Sequence, residues 1–195
     1  MIIEPVTLEG RFVRLEPLSL QHHAGLCEVG LDEDLWQWIP ERVVTPDAMR
    51  SYIEAALRAQ TAGTALPFAT IEISSGRAVG STRFGNIDLA NRRVEIGWTW
   101  LGKAWQRTAA NTEAKYLMLR HAFETWRCIR AELKTDSLNA RSRQAILRLG
   151  AQEEGTLRNH MVTWSGRLRH TVYYSIIDSE WPGVKARLEQ RLASG

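Results

Sequence analysis

Apolar and polar residues alternate from Val94 to Trp100. Val94, Ile96, Trp98 and Trp100 fall on one side, and Glu95, Gly97 and Thr99 on the other, which is the period of a β-strand. Leu101 to Trp105 breaks the alternation with a glycine. From Thr108 the period is helical, with Ala110, Ala114, Leu117, Met118, His121 and Ala122 on one face at i, i+3 and i+4 spacings. The unit is therefore strand, tight turn and long helix. A helix that starts at the end of a strand presents unpaired N–H groups and a positive dipole end, which suits a phosphate or pyrophosphate.

The same patterning places elements along the rest of the chain. Arg11 to Leu15 alternates as a first strand closed by Pro17, and Ser19 reads as the N-cap of a helix carrying Leu20, Ala24 and Cys27 on one side. A second helix starts at Thr45-Pro46-Asp47 and stops near Gly63. Leu66 to Ile73 and Arg77 to Phe84 read as strands joined by Ser74-Ser75-Gly76. Cys128 to Thr135 is another strand, followed by a helix from Asn139 to Gly150. Strands near Gly155 to Trp164 and Leu168 to Ile177, then a helix from Trp181 to Leu192, end the chain. The order β-αα-βββ-α-β-α-ββ-α predicts a mixed, largely antiparallel α/β sheet flanked by helices.

Length and composition narrow the class. A chain of 195 residues with 44% hydrophobic and 24% charged residues predicts one soluble globular domain, residues 1–195. No apolar run approaches the roughly 20 residues that span a bilayer, and MIIEPVTLEGR lacks the character of a signal peptide. The expectation is a cytoplasmic protein with no membrane partner. A net charge of +3 suits an anionic ligand and is too small to argue for nucleic acid. Cys27 and Cys128 are too far apart for a disulfide scaffold, and Cys128 reads as a small buried hydrophobe. His22 and His23 are adjacent, so they do not share a helical face, and no metal is expected. The oligomeric state stays open, a homodimer being the commonest assembly.

Two motifs add a family. Gln106-Arg107-Thr108-Ala109-Ala110-Asn111, followed by Thr112-Glu113-Ala114, resembles the pyrophosphate loop of the GNAT superfamily of N-acetyltransferases, written Q/R-x-x-G-x-G/A. Ala109 and Asn111 stand where that family usually carries glycine or another small residue. The segment LNARSRQAILRLGAQEEGTLR resembles the Asn-x-x-Ser helix and following strand of the RimJ/RimL-like branch, with Asn139, Ser142, Gly150, Glu154, Gly155 and Arg158 in the matching places. The element order is also that of the GNAT fold.

The resemblance implies acetyl-CoA as co-substrate and a primary amine as acceptor, either a peptide N-terminus or a small molecule. The amine attacks the thioester directly, within a ternary complex. It places the cofactor along Trp98, Trp100, Gln106, Arg107, Thr108, Ala109, Ala110, Asn111, Asn139 and Ser142. Acetyl transfer needs a neutral amine, a stabilised oxyanion and a protonated leaving thiolate. Glu95 is the candidate base; its bland alternative is a solvent-facing strand residue paired with Arg92 or Arg93. Ser142 is the candidate acid. Asn139 is the partner for the pantetheine amides and, as a favoured N-cap, also the helix start. Trp36, Trp38, Phe84 and Asn86 are the expected pocket wall, although Trp36 and Trp38 equally suit the core. The competing class is a binding module that holds an acyl-CoA with little turnover.

Overall fold

The apolar positions sort onto the two faces of one eight-stranded sheet. The computed structural model describes residues 1–194. The strands are β1 (Leu8–Glu9), β2 (Val13–Pro17), β3 (Leu66–Glu72), β4 (Ala78–Asp88), β5 (Arg93–Leu101), β6 (Arg130–Asp136), β7 (Gln152–Val162) and β8 (Leu168–Ile177). Their spatial order is β1-β2-β3-β4-β5-β6-β8-β7. The helices are α1 (His23–Gly30), α2 (Pro46–Thr61), α3 (Ala109–Arg120), α4 (Ala140–Leu149) and α5 (Trp181–Ala193). The expected mixed, largely antiparallel α/β sheet is present, and β5–β6 is the parallel pair within it.

Several boundaries differ from the sequence reading. A short β1 precedes the expected first strand, and β4 runs on to Asp88, past a bulge at Asn86 (φ 46°). The strand expected from Cys128 starts at Arg130, and β7 starts at Gln152. The helix after Thr108 ends in a π-helical turn, His121–Thr125. The caps agree with the sequence: Thr45 Oγ1 accepts from the Ala48 N–H, Asn139 Oδ1 from the Ser142 N–H, and Gly150 ends α4 in the left-handed region.

One face of the sheet packs against α3, α4 and α5 through residues such as Phe84, Val94, Ile96, Leu117, Met118, Ile146 and Trp181. The other packs against α1 and α2 through Leu26, Trp36, Met49, Ile53 and Trp100. Glu113 ties the first hairpin to α3: its carboxylate accepts from the N–H groups of Arg11, Phe12 and Val13 at 2.8, 2.6 and 2.7 Å. A Cβ at Gly10 would lie 2.4 Å from that carboxyl carbon, so only glycine lets the hairpin close over it.

The even alternation expected of β5 fails at one residue. Ser81 pairs with Trp100 and Arg83 with Gly97, so β5 carries one extra residue there, and Trp98 sits at φ 50°. This is a β-bulge. It moves Trp98 and Trp100 onto the face of Glu95, away from Val94 and Ile96, because one inserted residue reverses the side-chain alternation. Trp100 is thereby buried against Trp36, ring centroids 5.4 Å apart.

Lys115 of α3 supports the bulge from the opposite face. The side chain is buried, and its Nζ donates to Thr82 Oγ1 at 3.2 Å and to Thr99 Oγ1. Both hydroxyl oxygens lie within reach of the Gly97 carbonyl, at 3.4 and 3.3 Å. A neutral amine has two N–H donors, the number these two oxygens take; an ammonium would carry a third. Burial accordingly lowers the Lys115 pKa to about 7, partly opposed by the charge of Glu95.

That burial makes stability depend on pH in a stated direction. Between about pH 7, where folded Lys115 titrates, and about pH 10.4, where a free lysine titrates, the unfolded chain holds a proton that the native chain does not. Stability therefore rises with pH in this window, by at most about 1.4 kcal/mol per unit, and the penalty is fully present below it. Subtracting the urea-unfolding free energy of Lys115→Met from that of the wild type isolates the term. The difference should climb from about pH 7 to 10 and be flat below; parallel curves would mean that Lys115 stays charged in the fold.

Candidate active site

The parallel strands β5 and β6 pair only through Arg93–Arg130, Val94–Ala131 and Glu95–Glu132. Beyond Glu95 they diverge, leaving Ile96 to Leu101 and Leu133 to Asp136 unpaired with one another. A crevice at the C-terminal ends of parallel strands is where open α/β sheets receive ligands. The bulge lies on its β5 lip. Since the Gly97 carbonyl turns toward Thr82 and Thr99, the planar trans peptide directs the Trp98 N–H the opposite way, away from β4 and α3.

Glu95 sits where the strands part and is 2% exposed. It is not a solvent-facing partner of Arg92 or Arg93. Its Oε2 accepts from Asn86 Nδ2 and from Lys134 Nζ, the latter at 2.8 Å. Its Oε1 has no donor among the described residues and lies over Gly97, where a Cβ would come within 2.9 Å of it. Gly97 is thus the opening through which the carboxylate reaches the bulge. Lys134 escaped the sequence reading; the available signal was its place at an alternate position of a strand parallel to β5.

The turn before α3 and the start of α4 come together. Arg141 donates to Gln106 Oε1 at 2.8 Å, while Gln106 Nε2 donates to the Leu101 carbonyl at 3.0 Å. Gln106 therefore braces strand, turn and α4. Thr108 is the N-cap of α3, accepting from the Ala110 N–H at 3.2 Å. The left-handed residue of this turn is Arg107 (φ 63°), so neither Ala109 nor Asn111 occupies a conformation that demands glycine. Arg107 is exposed, and its side chain makes no hydrogen bond among the described residues. Asn139 Nδ2 and Ser142 Oγ are likewise free, since the cap uses only Asn139 Oδ1. These free donors, together with the α3 N-terminus and the open strand edges, suit a long molecule bearing amides and a pyrophosphate.

The expected pocket wall divides. Asn86 stands beside Glu95, and half-buried Trp38 lies on the same face, with the Arg167 guanidinium 5.5 Å over its ring. Phe84 is fully buried on the opposite face against Phe68 and Trp126. Trp36 is fully buried as well, its Nε1 donating to the Gly30 carbonyl at 2.8 Å. Both are core residues, because a ring on the α3 side, or one sealed between Tyr52 and Trp100, has no surface left for a ligand. Trp100 is also core, at 4% exposure.

The remaining sequence candidates are accounted for locally. His22 bonds Ser19 and Glu16, and His23 bonds the Pro46 carbonyl. Burial pushes the Cys128 thiol up to about 11, consistent with a packing role. Cavities of about 590 Å³ beside Thr156, Leu157 and His170, and of about 360 Å³ beside Cys27, Arg77 and Lys103, lie away from Glu95. Among the described residues, no helix is long and apolar enough to cross a membrane.

Known proteins are similar to this chain in sequence and fold. Residues 13–152 match the family model described as an acetyltransferase (GNAT) domain. The "Putative ribosomal N-acetyltransferase YdaF" of Bacillus subtilis is 29% identical over 94% of this chain and 93% of its own length. A GCN5-related N-acetyltransferase from Brucella melitensis superposes with a TM-score of 0.91 at 34% identity, covering 97% of this chain and 86% of the other. RimJ of Mycobacterium smegmatis, solved in complex with CoA-disulfide, shares the fold with a TM-score of 0.84 at 24% identity, covering 96% and 95%. The divergent parallel strands, the bulge on β5 and these likenesses agree: the chain belongs to the GNAT family of acetyltransferases.

Proposed function

We propose that residues 1–195 act as one domain that moves an acetyl group from acetyl-CoA to a primary amine, by direct attack in a ternary complex. The observation that carries this reading is the opening between β5 and β6. Glu95 stands at its base, the Trp98 amide on one lip, and Asn139 and Ser142 at the helix that follows the other. When bound, acetyl-CoA supplies an activated acetyl thioester. The α3 N-terminus and Arg107 hold its pyrophosphate, and Asn139 Nδ2 holds the pantetheine amides. The relative named as a ribosomal N-acetyltransferase supports a peptide α-amine as acceptor, with small amines as the other class.

Each residue then has one task. Glu95 Oε1 takes a proton from the acceptor amine, directly or through a water, while Lys134 and Asn86 fix the carboxylate through Oε2. The Trp98 N–H donates to the oxygen on which negative charge develops. Ser142 Oγ gives a proton to the departing sulfur.

Thiol release from acetyl-CoA, followed over a panel of peptides and small amines, tests the reading. Release with at least one amine is expected. Binding without release on any amine would instead favour the acyl-CoA-holding module. Arg107→Ala should weaken CoA more than it weakens pantetheine, which lacks the pyrophosphate; equal losses would remove Arg107 from the phosphate site.

The proton assignments have their own test. Glu95→Gln and Ser142→Ala should each lower kcat by about 10²–10⁴-fold with acetyl-CoA affinity nearly unchanged. Glu95→Gln should also move or remove the acidic limb of the pH–rate profile, and Ser142→Ala should leave it. A Glu95→Gln enzyme with full kcat and an unchanged limb would put the base elsewhere. Loss of acetyl-CoA affinity in step with rate in Ser142→Ala would make Ser142 a cofactor contact.

A further inference from the structure

Arg83 is a buried cation with nothing to pair with. It lies on β4 opposite Gly97, on the same face as Glu95, and is 6% exposed. Its guanidinium lies over two rings, 5.0 Å from Tyr52 and 5.1 Å from Trp98. Its Nε is sealed from solvent without a hydrogen-bond partner. Among the described residues, no carboxylate or carbonyl accepts from any of its nitrogens. Arginines elsewhere in the fold are treated differently: Arg167 pairs with Asp136, Arg130 with Glu132 and Glu154, and Arg143 with Glu153.

The surroundings sharpen the imbalance. Arg169, 5% exposed, bonds only the Thr171 hydroxyl and the Trp38 carbonyl. Lys134 lies 6.0 Å from the Trp98 ring, on which Arg83 also rests. With Arg167 and Asp136 counted as a pair, Arg83, Lys134 and Arg169 face a single carboxylate, Glu95. Burying an uncompensated charge is costly, and contacts with two rings offset the cost only in part. A guanidinium is planar, and its paired N–H groups can receive a carboxylate in two parallel bonds.

We propose that the acceptor amine carries a carboxylate a few bonds from its nitrogen, and that Arg83 receives that carboxylate. The proposal rests on the transferase reading, since it takes Glu95 as the place where the amine stands. The spacing supports it. Arg83 pairs with Gly97 and Gly85 with Glu95, so one same-face step, about 7 Å, separates the two positions along the sheet. A free α-amino acid and a peptide with N-terminal Asp or Glu share this chemistry. A bare alkyl amine lacks it.

Matched acceptors that differ only in the carboxylate test the assignment by thiol release. One pair is an α-amino acid and its amide; the other is a tripeptide amide starting with Glu and its Gln counterpart. The wild type should favour the carboxylate member of at least one pair by about tenfold or more in kcat/KM, and the pair that responds identifies the source. Arg83→Met should bring that ratio to within about twofold, mainly through KM, and Arg83→Lys should retain part of it. Acetyl-CoA should still raise the Tm of both variants, which excludes misfolding. Equal kcat/KM within both pairs would overturn the proposal while leaving the transferase intact, as would a preference that survives in Arg83→Met. If no amine is acetylated, binding of the N-acetylated Glu products, measured by calorimetry, decides. Binding by the wild type but not by Arg83→Met upholds the carboxylate site even as the transferase reading fails, and no binding overturns it.

Discussion

The interaction on which this structure depends is the three-residue parallel pairing of β5 with β6. If it continued, the strand edges would satisfy each other and the sheet would be closed to ligands. It stops because the bulge at Trp98 bends β5 away, and a bulge leaves one residue outside the ladder. Divergence supplies three things at once: unpaired backbone groups along two lips, an N–H turned outward, and a place for a carboxylate at the point of parting. A left-handed tryptophan costs conformational energy, and the surrounding contacts must hold it. Tyr52, whose hydroxyl bonds the Trp98 carbonyl at 3.4 Å, and the Lys115–Thr82–Thr99 group hold it from the two faces.

Buried charge concentrates at this point. Lys115 approaches the bulge from the α3 side, where burial lowers its pKa to about 7, whereas Glu95 and Lys134 meet as an ion pair on the other side. The difference follows from partners. A lysine offered only hydroxyls is cheaper to bury neutral, and one offered a carboxylate can be buried charged. Such groups do little for net stability and much for geometry. Lys115 keeps the two threonine hydroxyls beside the Gly97 carbonyl, and Lys134 leaves one oxygen of Glu95 free.

The turn before α3 meets a different demand. Gln106 is spent on bracing, between Leu101 and Arg141, and the left-handed position falls to Arg107. The turn therefore needs no glycine inside the helix, because its left-handed residue lies one position before the cap. The long arginine at that position stands exposed beside the helix N-terminus, where its charge adds to the dipole.

Apart from the two-residue β1, the sequence by itself determined the strands and main helices, their order and the two motif-bearing segments. Each rests on local physics: a period of two or 3.6, a Thr, Asn or Ser before a helix, a glycine after one. It also brought Glu95, Asn139, Ser142 and Arg107 into view, through position in those elements and resemblance to the GNAT pattern. Tertiary structure alone decided which face each side chain took beyond Gly97, since one inserted residue reverses every later position and leaves the composition of the strand unchanged. That is why Trp98 and Trp100 joined Glu95. Only the fold could show Lys134, Arg83 and Lys115 meeting at the bulge, because a charge reveals its partner, or its lack of one, only when buried.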